Sequence, residues 1–161
     1  MKPFMNLDEI PESEYHQSER GQFGERYAAI SEHIGARLLS YSVTILPPGK
    51  RVCPFHNHRI NEELFLVLDG EGTLRFGDER YPIKQHDIIA CPPGGPEVAH
   101  QIINTSDREM RYLCLSTAKP YDICEYPDSD KINAFVGGGE GKGMRHVSRR
   151  GDAVDYYDGE E

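Results

Sequence analysis

The chain has 161 residues, a length that suits one domain with one sizeable core. Its 18 Lys and Arg against 27 Asp and Glu give a formal charge of −9, which repels phosphate backbones, so no nucleic-acid partner is expected. No run reaches the ~20 apolar residues of a membrane helix, and Met1 to Ser18 lacks the apolar stretch of a secretory signal. No membrane partner and a cytoplasmic location are therefore expected. Cys53, Cys91, Cys114 and Cys124 form no Cys-x-x-Cys pair and read as free thiols. Sixteen glycines, eleven prolines and no tryptophan suit a turn-rich β protein.

Residues 1–34 read as a polar arm with a helical turn near Glu12 to Tyr15. The first convincing strand is Arg37 to Leu46. Leu39, Tyr41, Val43 and Ile45 share one face, and Ser40, Ser42 and Thr44 the other. The apolar face, with Tyr41, is expected to point inward. Pro47-Pro48-Gly49 stops this strand. His56-Asn57-His58 follows, and then Glu63 to Leu68, a strand apolar on both faces. Asp69 to Gly72 carries the Asp-Gly hairpin signal. Short strands are expected at Thr73 to Phe76, Tyr81 to Ile83, Asp87 to Cys91, His100 to Asn104 and Met110 to Ser116, separated by turn residues.

Strands at intervals of ~8–12 residues, without helical periodicity between them, indicate an all-β sandwich or barrel. Beyond Thr117 the pattern weakens. One more strand is expected within Tyr121 to Lys131, a flexible glycine-rich loop at Gly137 to Gly143, and an acidic tail. The resulting division is an arm (1–34), a barrel (35–118) and an extension (119–161) that packs on the barrel or on a partner copy.

His56 and His58 are two apart, so on a strand both imidazoles point to one side and can chelate one ion. Glu63 opens the next strand and His100 a later one, and in an antiparallel barrel such positions can converge. Each of these residues alone has an ordinary structural or surface reading. Their joint occurrence among short strands is what points to a site.

Gly49 to Gly70, which holds His56, His58 and Glu63, resembles the first cupin motif: a glycine, His-x-His, a glutamate, and a glycine seven residues beyond it. His86 to Asn104 resembles the second, in which Pro-x-Gly precedes a histidine and an asparagine follows four positions later. The resemblance implies a single-domain double-stranded β-helix, or jelly roll. It also implies one divalent metal (Zn, Ni, Fe or Mn) held by His56, His58, Glu63 and His100. Gly70 lies seven residues after Glu63, which selects Glu63 over Glu62. The chain departs from the family pattern in three places. Six residues rather than five separate Gly49 from His56, His86 stands where motif two opens with glycine, and the Gly94 to His100 loop has five intervening residues rather than two.

Over its whole length the chain resembles small stand-alone cupins labelled sugar phosphate isomerases. The 122–129 stretch and the 155–160 ending are part of that likeness. A metal held by three imidazoles and a carboxylate leaves positions for a bidentate oxygen ligand. The substrate is thus expected to be a small oxygenated molecule. Isomerase chemistry is the first reading, with Fe(II) dioxygenase chemistry or sugar or acid binding without turnover as alternatives.

An isomerase needs a base. Glu97, Tyr41 and Tyr112 are the candidates. Arg51 and Arg59 are the candidate phosphate clamp, since arginine grips phosphate with paired hydrogen bonds. Phe65 and Ile102 are expected to line the pocket. A homodimer is expected, with the terminal segments crossing to cover a neighbour's sheet edge.

Overall fold

The computed structural model describes residues 2–137 and 143–160. Residues 138–142, within the expected glycine-rich loop, lie outside them. The chain forms β1 (His16–Arg20), β2 (Phe23–Ala29), β3 (Leu39–Leu46), β4 (Asn57–His58), β5 (Glu63–Asp69), β6 (Glu71–Phe76) and β7 (Glu79–Lys84). It continues with β8 (Ile88–Cys91), β9 (His100–Ile103), β10 (Met110–Thr117), β11 (Tyr121–Tyr126), β12 (Lys131–Val136) and β13 (Met144–Arg149). One short helix, α1 (Ser31–Ile34), joins β2 to β3, and a 3₁₀ turn at Glu12–Glu14 sits near the expected helical turn.

Three antiparallel sheets make up the expected jelly roll. One runs β1-β2-β3-β10-β5-β8, a second β7-β6-β9, and a third β13-β12-β11-β4. Between the first two lies the core: Leu46, Phe65, Val67, Leu74, Ile89, Met110 and their neighbours. Apolar burial of this kind is the main favourable term in folding. Among the described residues no helix is long and apolar enough to cross a membrane, and all four cysteines are free.

Two sequence expectations need correction. Residues 16–29, expected as part of a loose arm, form a hairpin whose second strand pairs with β3, Ala28 opposite Val43. The signal was weak because β1 is exposed throughout and β2 buries only Gly24 and Ala28. The inward face of β3 was also inverted. Ser42 and Thr44 point inward, and Tyr41 and Val43 point outward. The outward face is apolar because it too is covered. The first residues of the chain cross it, and Arg111 donates to the Leu7 carbonyl at 2.6 Å and to Asp8 at 2.8 Å. Alternation reveals that a strand has two faces, not which one borders a cavity.

Backbone constraints explain two motif positions. Gly70 has φ +85°, and a Cβ there would sit 2.9 Å from the Glu109 carbonyl oxygen and the Met110 Cα, so only glycine fits. His86, standing where the family motif has glycine, also takes a left-handed conformation, with φ 76°. Its side chain is exposed, so nothing compensates the strain. His86→Gly is therefore expected to raise stability by up to about 1 kcal/mol, read from chemical denaturation midpoints.

Candidate metal centre

Two main-chain hydrogen bonds build the site. The His56 N–H donates to the His100 carbonyl at 3.2 Å, and the His100 N–H donates back to the His56 carbonyl at 2.7 Å. This isolated antiparallel bridge sets the two rings side by side, 4.7 Å between centroids. β4 carries His58 next to them. Glu63 enters from β5, whose start is clamped between Ser116 of β10 and Cys91 of β8.

The three Nε2 atoms converge on one oxygen. Glu63 Oε2 lies 3.0 Å from His100, 3.3 Å from His58 and 3.8 Å from His56. The other ring nitrogens are already engaged. Nδ1 of His56 faces the Pro54 carbonyl at 2.9 Å, and Nδ1 of His100 faces the Val98 carbonyl at 3.3 Å. A carbonyl only accepts, so each Nδ1 that bonds one donates to it, and Nε2 is the nitrogen left to face the carboxylate. His58 Nδ1 is held by Asp122 at 2.7 Å.

A buried carboxylate ringed by three imidazoles calls for positive charge beside it. Part of that charge can be a proton. Burial opposes it on His58, but contacts with Cys124 and Glu63 outweigh burial and raise His58 to about 11. Burial likewise works against the charged Glu63, yet bonds from His100 and His58 hold it well below the ordinary carboxylate range. His56 goes the other way, lowered to about 4 by burial and by the neighbouring His100. The donor set fits a divalent metal: ligand atoms of His56, His58 and Glu63 lie within 4.8 Å of one another, with His100 adjoining.

The expected extension supports this cluster. β11 pairs with β4, Cys124 opposite His58 and Glu125 opposite Asn57. Asp122 is buried and accepts from the Ile60 and Asn61 N–H groups and the Asn61 side chain, besides holding His58. Asn57, on the reverse side of the His-x-His, donates to Gly94 and to the buried Glu125. The Tyr126 ring stacks on His56 at 6.2 Å. The lengthened loop before His100 folds into a 3₁₀ turn, Pro96–Val98, and Gly94 N–H donates to the His58 carbonyl. The second-motif asparagine is structural. Asn104 is fully buried and donates to the Leu46 and Arg108 carbonyls. Sequence reasoning did not single out Asp122, Asn57 or Glu125. The one available signal was the family-like 122–129 stretch.

A cavity of about 200 Å³ opens beside the cluster, and His56, Glu63 and His100 form part of its wall. Phe65, Ile102 and Tyr112 line it, as the sequence placed Phe65 and Ile102; Ser42, Thr44 and Glu25 complete much of its polar surface. Burial raises the Tyr112 phenol far above its ordinary value, so it remains a hydrogen-bond donor.

The remaining candidates lie off the wall. Tyr41 faces outward on β3. Glu97 is exposed and accepts from the Gly95 N–H in its own turn. Arg59 is committed to Glu125 at 2.8 Å. Arg51 is held through its main chain against Phe23 and Ile103. No Lys or Arg lines the cavity among the described residues.

Glu25, from β2, was absent from the sequence candidates. Its carboxyl is half-buried, and burial alone pushes it up to about 7.

Residues 42–116 match the cupin domain family. The chain carries a cupin domain. Its whole fold is similar to two solved structures. One is a provisionally named sugar phosphate isomerase from Acidithiobacillus ferrooxidans (TM-score 0.83, 22% identity, 96% of each chain covered). The other is a cupin-superfamily sugar phosphate isomerase from Silicibacter pomeroyi (TM-score 0.78, 22% identity, 97% of this chain and 98% of that one). At such identity the likeness is one of fold. In sequence the cupin is 31% identical to an uncharacterised protein of Methanocaldococcus jannaschii, over 48% of this chain and 58% of that one. It is also 31% identical to an oxalate-binding protein of Thermotoga maritima, over 44% of this chain and 54% of that one. The chain thus spans little more than half the length of these two relatives.

A carboxyl raised in the folded state is favoured there only while protonated, so stability should fall as pH rises from about 4.5 to about 7. Glu25→Gln removes that ionisation. Relative to the wild type it should gain about 1–2 kcal/mol on going from pH 5 to pH 8, after allowance for solvent screening. Paired denaturation curves at the two pH values measure this.

Proposed function

We propose that this cupin is a divalent-metal enzyme that moves protons on a small hydroxycarbonyl substrate, with aldose–ketose isomerisation as the reaction. The observation that carries the proposal is the convergence of three imidazole Nε2 atoms on Glu63 Oε2 beside a cavity of about 200 Å³. His56, His58, Glu63 and His100 would hold the ion, drawn from Zn, Ni, Fe or Mn. When bound, it would supply Lewis acidity that polarises a carbonyl. The chain's own groups do the rest. Tyr112 donates a hydrogen bond to a substrate oxygen, Ser42 and Thr44 orient hydroxyls, and Phe65 with Ile102 keeps water off the reacting carbon.

The wall also bears on the substrate. With no Lys or Arg on the wall among the described residues, a phosphate buried in the cavity away from the ion would find no charged partner, and Arg51 and Arg59 do not line it. The part of the substrate inside is therefore the uncharged hydroxycarbonyl, and any phosphate projects outward. A second reading, binding of a small acid without turnover, draws on the likeness to the oxalate-binding protein. The missing cation weighs against it for any acid whose carboxylates are not all on the metal.

Loaded with zinc or manganese and dialysed, the wild type should retain one ion per chain by elemental analysis. The His56→Ala, His100→Ala double variant should retain none, and a fully occupied double variant would sink the proposed ligand set. Asp122→Ala should keep the site but bind metal roughly 10–100-fold more weakly in competition titrations, since it frees the His58 ring. Aldose–ketose interconversion under anaerobic conditions, followed by NMR, tests the reaction itself.

A further inference from the structure

We propose that Glu25, delivered by the N-terminal hairpin, is the catalytic acid–base residue that exchanges a proton with substrate carbon in the cavity. This rests on reading the site as a proton-transferring metal centre.

The strand register puts Glu25 on the cavity wall. Tyr27 lies opposite Thr44, and alternation places Glu25 on the same side as Tyr27. The start of β2 is pinned from outside the hairpin as well. Gly24 N–H donates to the Arg51 carbonyl at 3.0 Å, and Arg51 N–H to the Gln22 carbonyl at 3.2 Å. Those bonds join the hairpin to the loop leading to Cys53 and His56, so Glu25 and the proposed ligands share one wall.

Glu25 is also the one acid on that wall with no other task. Glu63 is committed to three imidazoles. Among the described residues, the Glu25 carboxyl accepts no hydrogen bond and pairs with no cation, and burial is the sole cause of its shift. Leaving a half-buried carboxyl unsatisfied costs free energy that a structural residue would not incur. Its surroundings keep it free. Cys53 from the loop and Tyr112 and Cys114 from β10 face the same space, and burial holds all three protonated. Tyr27 on its own strand, with Ser42 and Thr44 from β3, adds hydroxyls, and the remaining titratable neighbours on the wall are Glu63, His56 and His100. A carboxyl that burial brings to about 7 has both protonation states at hand near neutral pH, as a group that takes and returns a proton requires.

The step balances. The Glu25 carboxylate takes the proton from the carbon next to the carbonyl. The C–H electron pair forms a C=C bond, and the carbonyl π pair moves onto its oxygen. A proton passes from the neighbouring hydroxyl oxygen to that oxygen, and Glu25 returns its own proton to the former carbonyl carbon. Aldose and ketose interconvert with no net oxidant, reductant or proton.

The test uses zinc- or manganese-loaded full-length protein. Exchange of carbon-bound hydrogen for deuterium from D₂O is followed by NMR on dihydroxyacetone, D-glyceraldehyde and D-fructose, with metal content measured on the same samples. Wild type should exchange at least one probe, faster as pH rises through about 7. Glu25→Gln should lose roughly 10²–10⁴-fold in rate at unchanged metal content, and Glu25→Asp should recover part of it. In parallel, ¹³C-carboxyl labelling of glutamate should show a resonance, missing from Glu25→Gln, that titrates near 7. A Glu25→Gln rate within threefold of wild type overturns the proposal. So does no exchange by metal-loaded wild type, or a Glu25 resonance titrating with the ordinary carboxylates. Failure of the metal reading looks different: protein that holds no ion while the Glu25 titration stands.

Discussion

The pair of main-chain hydrogen bonds between His56 and His100 is the constraint from which the site follows. It ties together two segments far apart in sequence, one beside the edge strand β4 of the third sheet and one on the edge strand β9 of the second. In a bridge of this kind the two side chains leave on the same side, so the rings meet without any long-range pairing of their own. Their Nδ1 atoms are then engaged by local carbonyls, and the Nε2 atoms are left to face Glu63. Glu63, clamped between β8 and β10, completes the convergence. A backbone contact thus becomes a charge requirement, which a shared cation satisfies.

Elements at both ends of the chain complete the site. β11 lies beside β4 and brings Asp122 to His58 and Glu125 to Asn57, locking the His-x-His from behind. Outer partners of this kind fix ring orientation and ligand basicity. β2 lies beside β3 and brings Glu25 and Tyr27 to the cavity. The matched cupin domain, residues 42–116, contains none of these four residues. The portion common to a broad family therefore holds the cluster, while the flanking strands supply its orientation and part of the cavity wall.

The charge distribution on the wall narrows the chemistry. Carboxyls and hydroxyls line the cavity, no Lys or Arg does among the described residues, and several cationic side chains are paired elsewhere: Arg59 and Arg150 on Glu125, Arg75 on Asp128, Arg111 on Asp8, Lys50 on Glu19. Any positive charge inside must come from the imidazole cluster or an ion held there. Under the proposed function that favours a neutral, oxygen-rich substrate over a multiply charged one, since a charge removed from water needs a partner.

The sequence by itself determined the jelly-roll class, most of the central strands and the four converging side chains. The strands depend on short-range patterns of alternation and turn residues, and the four side chains were legible through the resemblance of Gly49 to Gly70 and His86 to Asn104 to the two cupin motifs. Only the tertiary structure decided which face of β3 borders the cavity, because the N-terminal residues cover its outer face and make both sides look buried. Only the tertiary structure joined the hairpin to the sheet, because β1 buries nothing and leaves little pattern to read. Asp122 was legible as part of a family-like stretch, but not as the partner of His58, since the register of β11 on β4 is a long-range pairing. Glu25 was invisible for the same reason. An acidic residue in a polar segment looks solvated until neighbouring strands close over it and raise the cost of its charge.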